Sequence, residues 1–200
     1  ALLMEAVKSA GTVSYPAIVA AVPDQETAAL SPHLTPGRSA LHPTFDADHV
    51  VRRLPLSHGD GPGELPALGF ALATTFWHVQ PNQLAGRSGR MHLHNARVAG
   101  GSTGDITIPL DRHGRLLINF AGHPLKFSAT SVLDLTRMID RNDHEGLSAL
   151  VNGKAVLLLT QPLPQPERTT PTGEEASDML LQAHLLHTLL TQDWIRDLSP

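Results

Sequence analysis

Short runs rich in β-branched and other large apolar residues alternate along this chain with segments whose apolar residues recur at helical spacing. The β-rich runs are residues 50–56, 91–98, 106–110, 115–120 and 155–159. The helical patterns are residues 65–77, 128–139 and 174–190. Strands that alternate with helices are typical of the α/β class. We therefore predict an α/β fold in which a mixed central β-sheet is flanked by helices.

Three local patterns refine this prediction. Asp111 opens and Gly114 closes a turn between two β-rich runs, which predicts a β-hairpin at about residues 106–120. Residues 155–159 are apolar at every position, which is typical of a buried central strand. Residues 174–190 begin with acidic side chains and continue with apolar residues at helical spacing, which predicts a long C-terminal helix.

Length, charge and cysteine content exclude several classes. A chain of 200 residues suits one domain or two small ones, and we assign a single domain, residues 1–200. Its formal charge of −4 argues against a nucleic-acid partner. The longest strictly apolar run, residues 17–22, is far shorter than the roughly 18 residues of a membrane-spanning helix. The absence of cysteine excludes disulfides and thiolate nucleophiles. Because no initiator Met is present, we expect a segment of a longer protein whose N-terminal elements lie upstream.

Twelve histidines raise the alternative of a metal-dependent hydrolase. His92 and His94 would share one face of a strand, and His184 and His187 would be neighbours on a helix. A metal site needs a third ligand that the spacing does not identify. Such histidines more often form polar edges, so we assign no metal ligand and no cofactor. Their near-neutral pKa also makes pH a candidate input.

Four residues are our candidates for contacting a small-molecule ligand. Asn119 and His123 follow a predicted strand and precede a helix, and ligands of open α/β sheets bind in such crevices. Asp48 lies in a predicted turn and Arg52 on the strand predicted at residues 50–56, where they can form an ion pair or an anion site. The chain lacks a Gly-x-Ser-x-Gly nucleophile elbow and a phosphate-binding loop, so no catalytic residue is predicted.

Several stretches, in the same order, resemble the second CHASE family, the extracytoplasmic sensor domains of bacterial cyclases and histidine kinases. The principal stretch is Asp-Ala-Asp-His-Val-Val-Arg-Arg-Leu-Pro-Leu at residues 46–56. The further similar stretches are residues 65–68, 108–111, 117–122, 127–133, 153–158, 170–171 and 182–190. The chain departs from the family pattern at His49 and Leu159, where the family has Gly, and at Gln182 and His184, where it has His and Asn.

The resemblance implies a sensor that is not itself an enzyme. It implies a domain on the periplasmic or extracellular face of the cytoplasmic membrane, tethered by membrane helices to a cytoplasmic cyclase, cyclic-di-GMP enzyme or kinase. We expect its signal, an unknown small molecule or an envelope stimulus, to reach the membrane through the C-terminal helix. A homodimer is compatible with this expectation, and a purely structural dimerisation module is a further alternative.

Overall fold

A computed structural model describes the protein at residues 15–16, 38–39, 46–58, 65–79, 84–87, 89–97, 102–120, 127–152, 154, 156–157 and 168–195. The strands are β1 (Tyr15–Pro16), β2 (Arg38–Ser39), β3 (Arg53–Pro55), β4 (Ser57–His58), β5 (Leu65–Pro66), β6 (Leu84–Arg87), β7 (Arg90–Arg97), β8 (Thr103–Pro109), β9 (Arg115–Leu117), β10 (Arg168–Thr169) and β11 (Glu175–Ala176). The helices are α1 (Leu68–Phe76), α2 (Val132–Asp140), α3 (His144–Val151) and α4 (Asp178–Thr191). These elements confirm the α/β class.

Strand pairing in the described residues is divided among five small sheets. The largest is antiparallel and has the order β6-β7-β8, with a register shift between Leu93 and Ala96. The pairs β3-β9, β4-β5 and β10-β11 are antiparallel, whereas β1-β2 is parallel. Both kinds of pairing therefore occur, as a mixed arrangement requires, but they are spread over several sheets.

The hairpin predicted at about residues 106–120 needs correction. Its turn is present, because Gly114 donates its backbone N–H to Asp111 O at 3.1 Å and has a φ of 73°. However, β8 pairs with β7, and β9 pairs with β3. The strands on the two sides of the turn thus belong to different sheets, where Leu116 of β9 meets Leu54 and Ile106 of β8 meets Leu93.

The apolar core lies between these sheets and two helices. Leu54 and Leu116 face each other across β3 and β9, and both are fully buried. Ile106 and Ile108 of β8 and Leu93 of β7 extend this layer from the larger sheet. Fully burying a Leu or Ile side chain stabilises the folded state by about 1.5–3 kcal/mol. These side chains therefore determine which face of each strand points toward the core.

The long C-terminal helix is confirmed, but α4 begins at Asp178 and not at residue 174. The residues before it form β11, which pairs with β10, and Ser177 then caps the helix. The Ser177 hydroxyl accepts a hydrogen bond from Leu180 N at 3.3 Å, as a helix N-cap does. The four residues that precede Asp178 therefore form tertiary structure that a helical pattern does not reveal.

Helices α2 and α3 lie at the surface. Neither contains a buried residue, and large apolar side chains are exposed on both: Val132, Leu133, Ile139 and Val151. The strand predicted at residues 155–159 is not confirmed at Val156 and Leu157, which lie outside any strand, with Val156 60% exposed. The rest of that prediction falls outside the described residues. In the described part of the chain, no helix has the length and apolarity needed to cross a bilayer.

Candidate functional site

Helix α4 contacts several distant segments of the described part of the chain. Leu181, Leu185 and Leu189 recur every fourth residue, which places them on one face, and all three are fully buried. Polar side chains on the same helix are also buried, namely Gln182, His184 and Thr188. Buried polar groups need partners, so these residues mark where other parts of the chain attach to α4.

The first attachment is to helix α1. Gln182 Oε1 accepts a hydrogen bond of 2.9 Å from the backbone N–H of Gly69. The N-cap residue of α1, Ala67, makes no side-chain hydrogen bond, so Gln182 supplies an acceptor that this helix end lacks. The helices approach closely, since a Cβ at Gly69 would lie 2.6 Å from Gln182 O. Glycine at position 69 is therefore required by the contact between α1 and α4.

The second attachment joins α4 to the segment that follows β9. The backbone N–H of Asn119 donates to Thr188 Oγ1 at 3.2 Å, and the Asn119 side-chain amide donates to Asp193 Oδ2 at 2.9 Å. Thr188 also donates to His184 O at 2.9 Å. Asn119 thus holds both the last turn of α4 and the chain that leaves it.

His184 forms the third attachment. Its ring centroid lies 5.1 Å from that of Phe120 and 5.1 Å from that of Phe127. The side chain is buried, and His184 Nδ1 has no hydrogen-bond partner. Burial, and to a smaller extent the charge of His187, lowers the pKa of His184 to about 4. The ring is therefore neutral near pH 7 and packs as an apolar group.

The N-terminal end of α4 is anchored through β10 and β11. Arg168 Nε lies 3.2 Å from Asp178 Oδ1, and both side chains are about one-fifth exposed. The neighbouring Thr169 pairs in parallel with Val50 and accepts a hydrogen bond from Val51 N at 2.9 Å. This contact connects the start of α4 to the residues that precede β3.

The predicted pair of Asp48 and Arg52 is present at that place. Arg52 Nη1 donates to Asp48 Oδ1 at 2.8 Å, and Arg52 Nη2 lies 2.8 Å from Asp48 Oδ2, a bidentate geometry. The Arg52 hydrogen bonds, together with one from Val50 N, lower the pKa of Asp48 to about 2. The hydrogen bonds to Asp48 likewise raise the pKa of Arg52.

Arg52 and Asp48 belong to a larger ionic network of three arginines and three aspartates. Asp46 carboxylate oxygens lie 3.5 Å from Arg52, 3.1 Å from Arg53 and 4.0 Å from Arg115. Asp111 Oδ2 lies 2.7 Å from Arg115 Nε and 3.9 Å from Arg53 Nε. Burial would raise the pKa of Asp111, but hydrogen bonds from Arg115 and from His113 N outweigh it, and the pKa is lowered.

The network is electrically balanced and structural in character. It lies on the face of the β3-β9 pair opposite Leu54 and Leu116, because Arg53 and Arg115 alternate with those leucines along the strands. It joins the turn at residues 111–114 to the loop before β3. Since the arginine donors are already engaged by carboxylates, this cluster differs from an open anion site.

Three of the four predicted ligand-contacting residues lie in this region. The backbone N–H of Ile118 donates to Arg52 O at 2.9 Å, so Asn119 and Arg52 lie on adjacent segments at the end of the β3-β9 pair. Their side chains separate, with Arg52 turned to Asp48 and Asn119 turned to Asp193. His123 lies outside the described residues.

The histidine pairs considered for a metal have other contacts. His92 Nδ1 lies 3.0 Å from Thr107 Oγ1, and His94 Nδ1 lies 3.0 Å from Asp105 Oδ2. The bond to His94 lowers the pKa of Asp105. Among the described residues, no group of three or more His, Asp or Glu side chains is arranged to hold a metal ion.

Sequence reasoning missed Gln182, Thr188 and Asp193, which make the contacts of α4. A signal for two of them exists: Gln182 and Thr188 interrupt an otherwise leucine-rich helix, and a polar residue on an apolar face indicates a buried hydrogen bond. No local pattern identifies Asp193, because its partner lies 74 residues earlier in the chain.

A family model described as the CHASE2 domain matches residues 2–200 of this chain. No curated protein and no solved structure gives a match. The matched range contains every strand and helix described above, including the ionic network and α4. The motif resemblance and the family model thus agree over almost the whole sequence.

Proposed function

This chain belongs to the CHASE2 family of extracytoplasmic sensor domains, and from that premise we propose that it signals by moving helix α4 and the chain that leaves it. The family membership makes the segment a sensor and not a catalyst. The single observation that carries the mechanism is that Asn119 binds both Thr188, inside α4, and Asp193, beyond its end.

The signal would enter near the end of the β3-β9 pair. Adjacent segments of the chain carry Arg52, Asp48 and Asn119 there. We propose that these residues, with His123, contact a small-molecule or envelope signal. A ligand that draws Arg52 away from Asp48, or Asn119 away from Asp193, would bind one arrangement of α4 better than the other. Such differential binding is what shifts a two-state equilibrium.

The output would leave through residues 193–195. We propose that the parent protein tethers this domain, residues 1–200, to the membrane and carries a cytoplasmic cyclase, cyclic-di-GMP enzyme or kinase. The contacts of α4 with α1, β10 and the Asn119 segment support this route. A helix attached at both ends and in its middle moves as a unit with the elements it contacts.

Cross-linking in the full-length receptor tests the mechanism. The 200 residues contain no cysteine, so Asn119→Cys and Asp193→Cys introduce one reactive pair here. A short thiol-reactive linker between them should fix α4 in its attached position and change the rate of the output enzyme severalfold. The matched control joins His92→Cys to Thr107→Cys, which are directly paired on β7 and β8. Equal output rates with and without the Asn119–Asp193 linker would reject the mechanism.

Self-association is a second candidate function. The observation that favours it is the apolar surface of α2, where Val132, Leu133 and Ile139 are 58%, 60% and 49% exposed. Sedimentation velocity at high protein concentration tests it. A dimer that becomes a monomer in the Leu133→Ser, Ile139→Ser variant supports association through this surface, and a monomeric parent chain rejects it.

A further inference from the structure

His184 occupies an environment that suits an uncharged ring only. The residue is 3% exposed, and its Nδ1 has no hydrogen-bond partner. The rings of Phe120 and Phe127 both contact the imidazole. A proton added to Nδ1 would place a positive charge in apolar surroundings with no acceptor for the new N–H. Burial of an unpaired charge is strongly unfavourable, so the packed arrangement resists this proton.

Among the residues that the structure describes, the elements around His184 place no carboxylate against its ring. Helix α1, which packs on α4, contains no ionisable side chain, and neither does the 118–120 segment. Residues 121–126, which connect Phe120 to Phe127 and whose placement is not described, include His123 and Lys126 in sequence but no Asp or Glu. Next to the start of α4, Glu175 of β11 is exposed, and Asp178 is paired with Arg168.

Asp193, which follows α4, is bonded to Asn119, and a further titratable neighbour in the described part of the chain lies on α4 itself. His187 is three residues along, and its ring centroid lies 6.0 Å from that of Phe127. A second imidazole on the same aromatic side chain adds positive charge when it is protonated. In the described residues, no carboxylate forms a hydrogen bond or an ion pair with His184.

We propose that His184 is an acid-sensitive latch, in which protonation of the ring releases the C-terminal half of α4 from Phe120 and Phe127. This inference rests on the proposed function, since it names a regulation of the same helix. Release of His184 would also loosen the adjacent Thr188, whose hydroxyl bonds to both His184 O and the Asn119 segment. Acid outside the cell would thereby become a signal at the end of the domain.

The direction of the effect follows from linkage. Burial lowers the pKa of His184 from its ordinary 6.5 to about 4 in the packed helix. The packed state is therefore fully favoured above the ordinary value and weakens as the pH falls toward the lowered one. Between pH 7 and pH 5 the ratio of released to packed helix should rise about 20-fold.

Hydrogen exchange of the whole 200-residue chain tests the latch. We expect protection factors of amides in residues 181–192, corrected for intrinsic exchange, to fall about 20-fold between pH 7 and pH 5. His184→Asn, which introduces the residue the family pattern has here, should abolish the fall. His187→Asn is the matched control and should retain it. Unchanged protection in the parent chain, or an equal fall in His184→Asn, overturns the proposal.

A direct titration keeps the proposal testable if His184→Asn does not fold. The ring of His184 in the unaltered chain should titrate by NMR with a midpoint near 4, and a midpoint of about 6 or above overturns the latch. The two proposals fail separately. If hydrogen exchange of α4 does not depend on pH but the cross-link changes the output rate, only the latch is rejected. If acid releases α4 but the cross-link leaves the output rate unchanged, only the signalling function is rejected.

Discussion

The side-chain amide of Asn119 donates a 2.9 Å hydrogen bond to Asp193, which lies two residues beyond the end of helix α4. This bond connects the end of the β3-β9 pair to the chain that leaves the helix. Asn119 is also held by Thr188 through its backbone. A movement of the strand end therefore has a direct physical connection to the exit of the domain.

Removing the Asn119 side-chain bond should loosen the end of α4. Asn119→Ala leaves the backbone contact to Thr188 intact, so we expect a local loss of up to about 1 kcal/mol. Asn119→Asp should cost more, because two carboxylates would then face each other. Hydrogen exchange at residues 189–193 measures both variants. Unchanged exchange in Asn119→Asp would contradict the coupling of these residues.

Adding a methyl group at Gly69 should force α1 away from α4. The new Cβ would lie 2.6 Å from Gln182 O and 3.1 Å from the Leu185 side chain. Because a backbone oxygen cannot give way locally, we expect Gly69→Ala to reduce the free energy of unfolding by about 1–3 kcal/mol. Gly104→Ala is the control, since nothing lies within 4 Å of its Cβ position. Urea unfolding should show the difference, and equal midpoints would be inconsistent with this packing.

Replacing Gln182 by an apolar residue should leave the Gly69 N–H without its acceptor. Gln182→Met keeps the length and volume of the side chain but removes Oε1. A buried unsatisfied donor costs about 1–3 kcal/mol, and we expect that loss in chemical denaturation. Gln192→Met, at the exposed C-cap position of the same helix, should change stability by less than about 0.5 kcal/mol. A loss of the same size in both variants would argue against the Gln182–Gly69 bond.

The ion pair of Asp48 should be visible as an acid-shifted titration. Arg52 lowers the pKa of Asp48 from 3.8 to about 2, so the folded state favours the charged carboxylate. Its contribution to stability is present above the ordinary value and is lost as the pH falls through the lowered one. Carboxyl NMR titration should return Asp48 toward 3.8 in Arg52→Gln. Arg53→Gln, which removes a guanidinium 3.1 Å from Asp46, should leave the Asp48 midpoint unchanged.

Local patterns predicted those elements whose stabilising bonds are themselves local. Ser131 caps α2 within the helical pattern predicted at residues 128–139, and its hydroxyl accepts a hydrogen bond of 3.0 Å from Asp134 N. The turn at residues 111–114 formed because Asp111 Oδ1 accepts from His113 N and Arg115 N. In both cases donor and acceptor are within four residues of each other, so the sequence window contains the whole interaction.

The strand partners could not be found in the same way. The turn after Asp111 is compatible with a hairpin, yet β9 pairs with β3 because Leu54 and Leu116 meet across that pair. Similarly, α4 starts late because Glu175 and Ala176 pair with β10. These pairings depend on which apolar faces meet in the folded protein. The sequence of one segment does not identify the distant segment with which it pairs.

The amino-acid sequence alone determined the α/β class, the turn at residues 111–114, the helix α2, the existence of the C-terminal helix and the resemblance to the CHASE2 family. Tertiary structure alone decided that Asn119 donates to Asp193, that Gln182 accepts from the Gly69 N–H, and that His184 is buried against two phenylalanines. The reason is the range of the forces involved. Caps and turns are closed by neighbouring backbone groups, whereas burial and long-range hydrogen bonds exist only after distant segments have packed together.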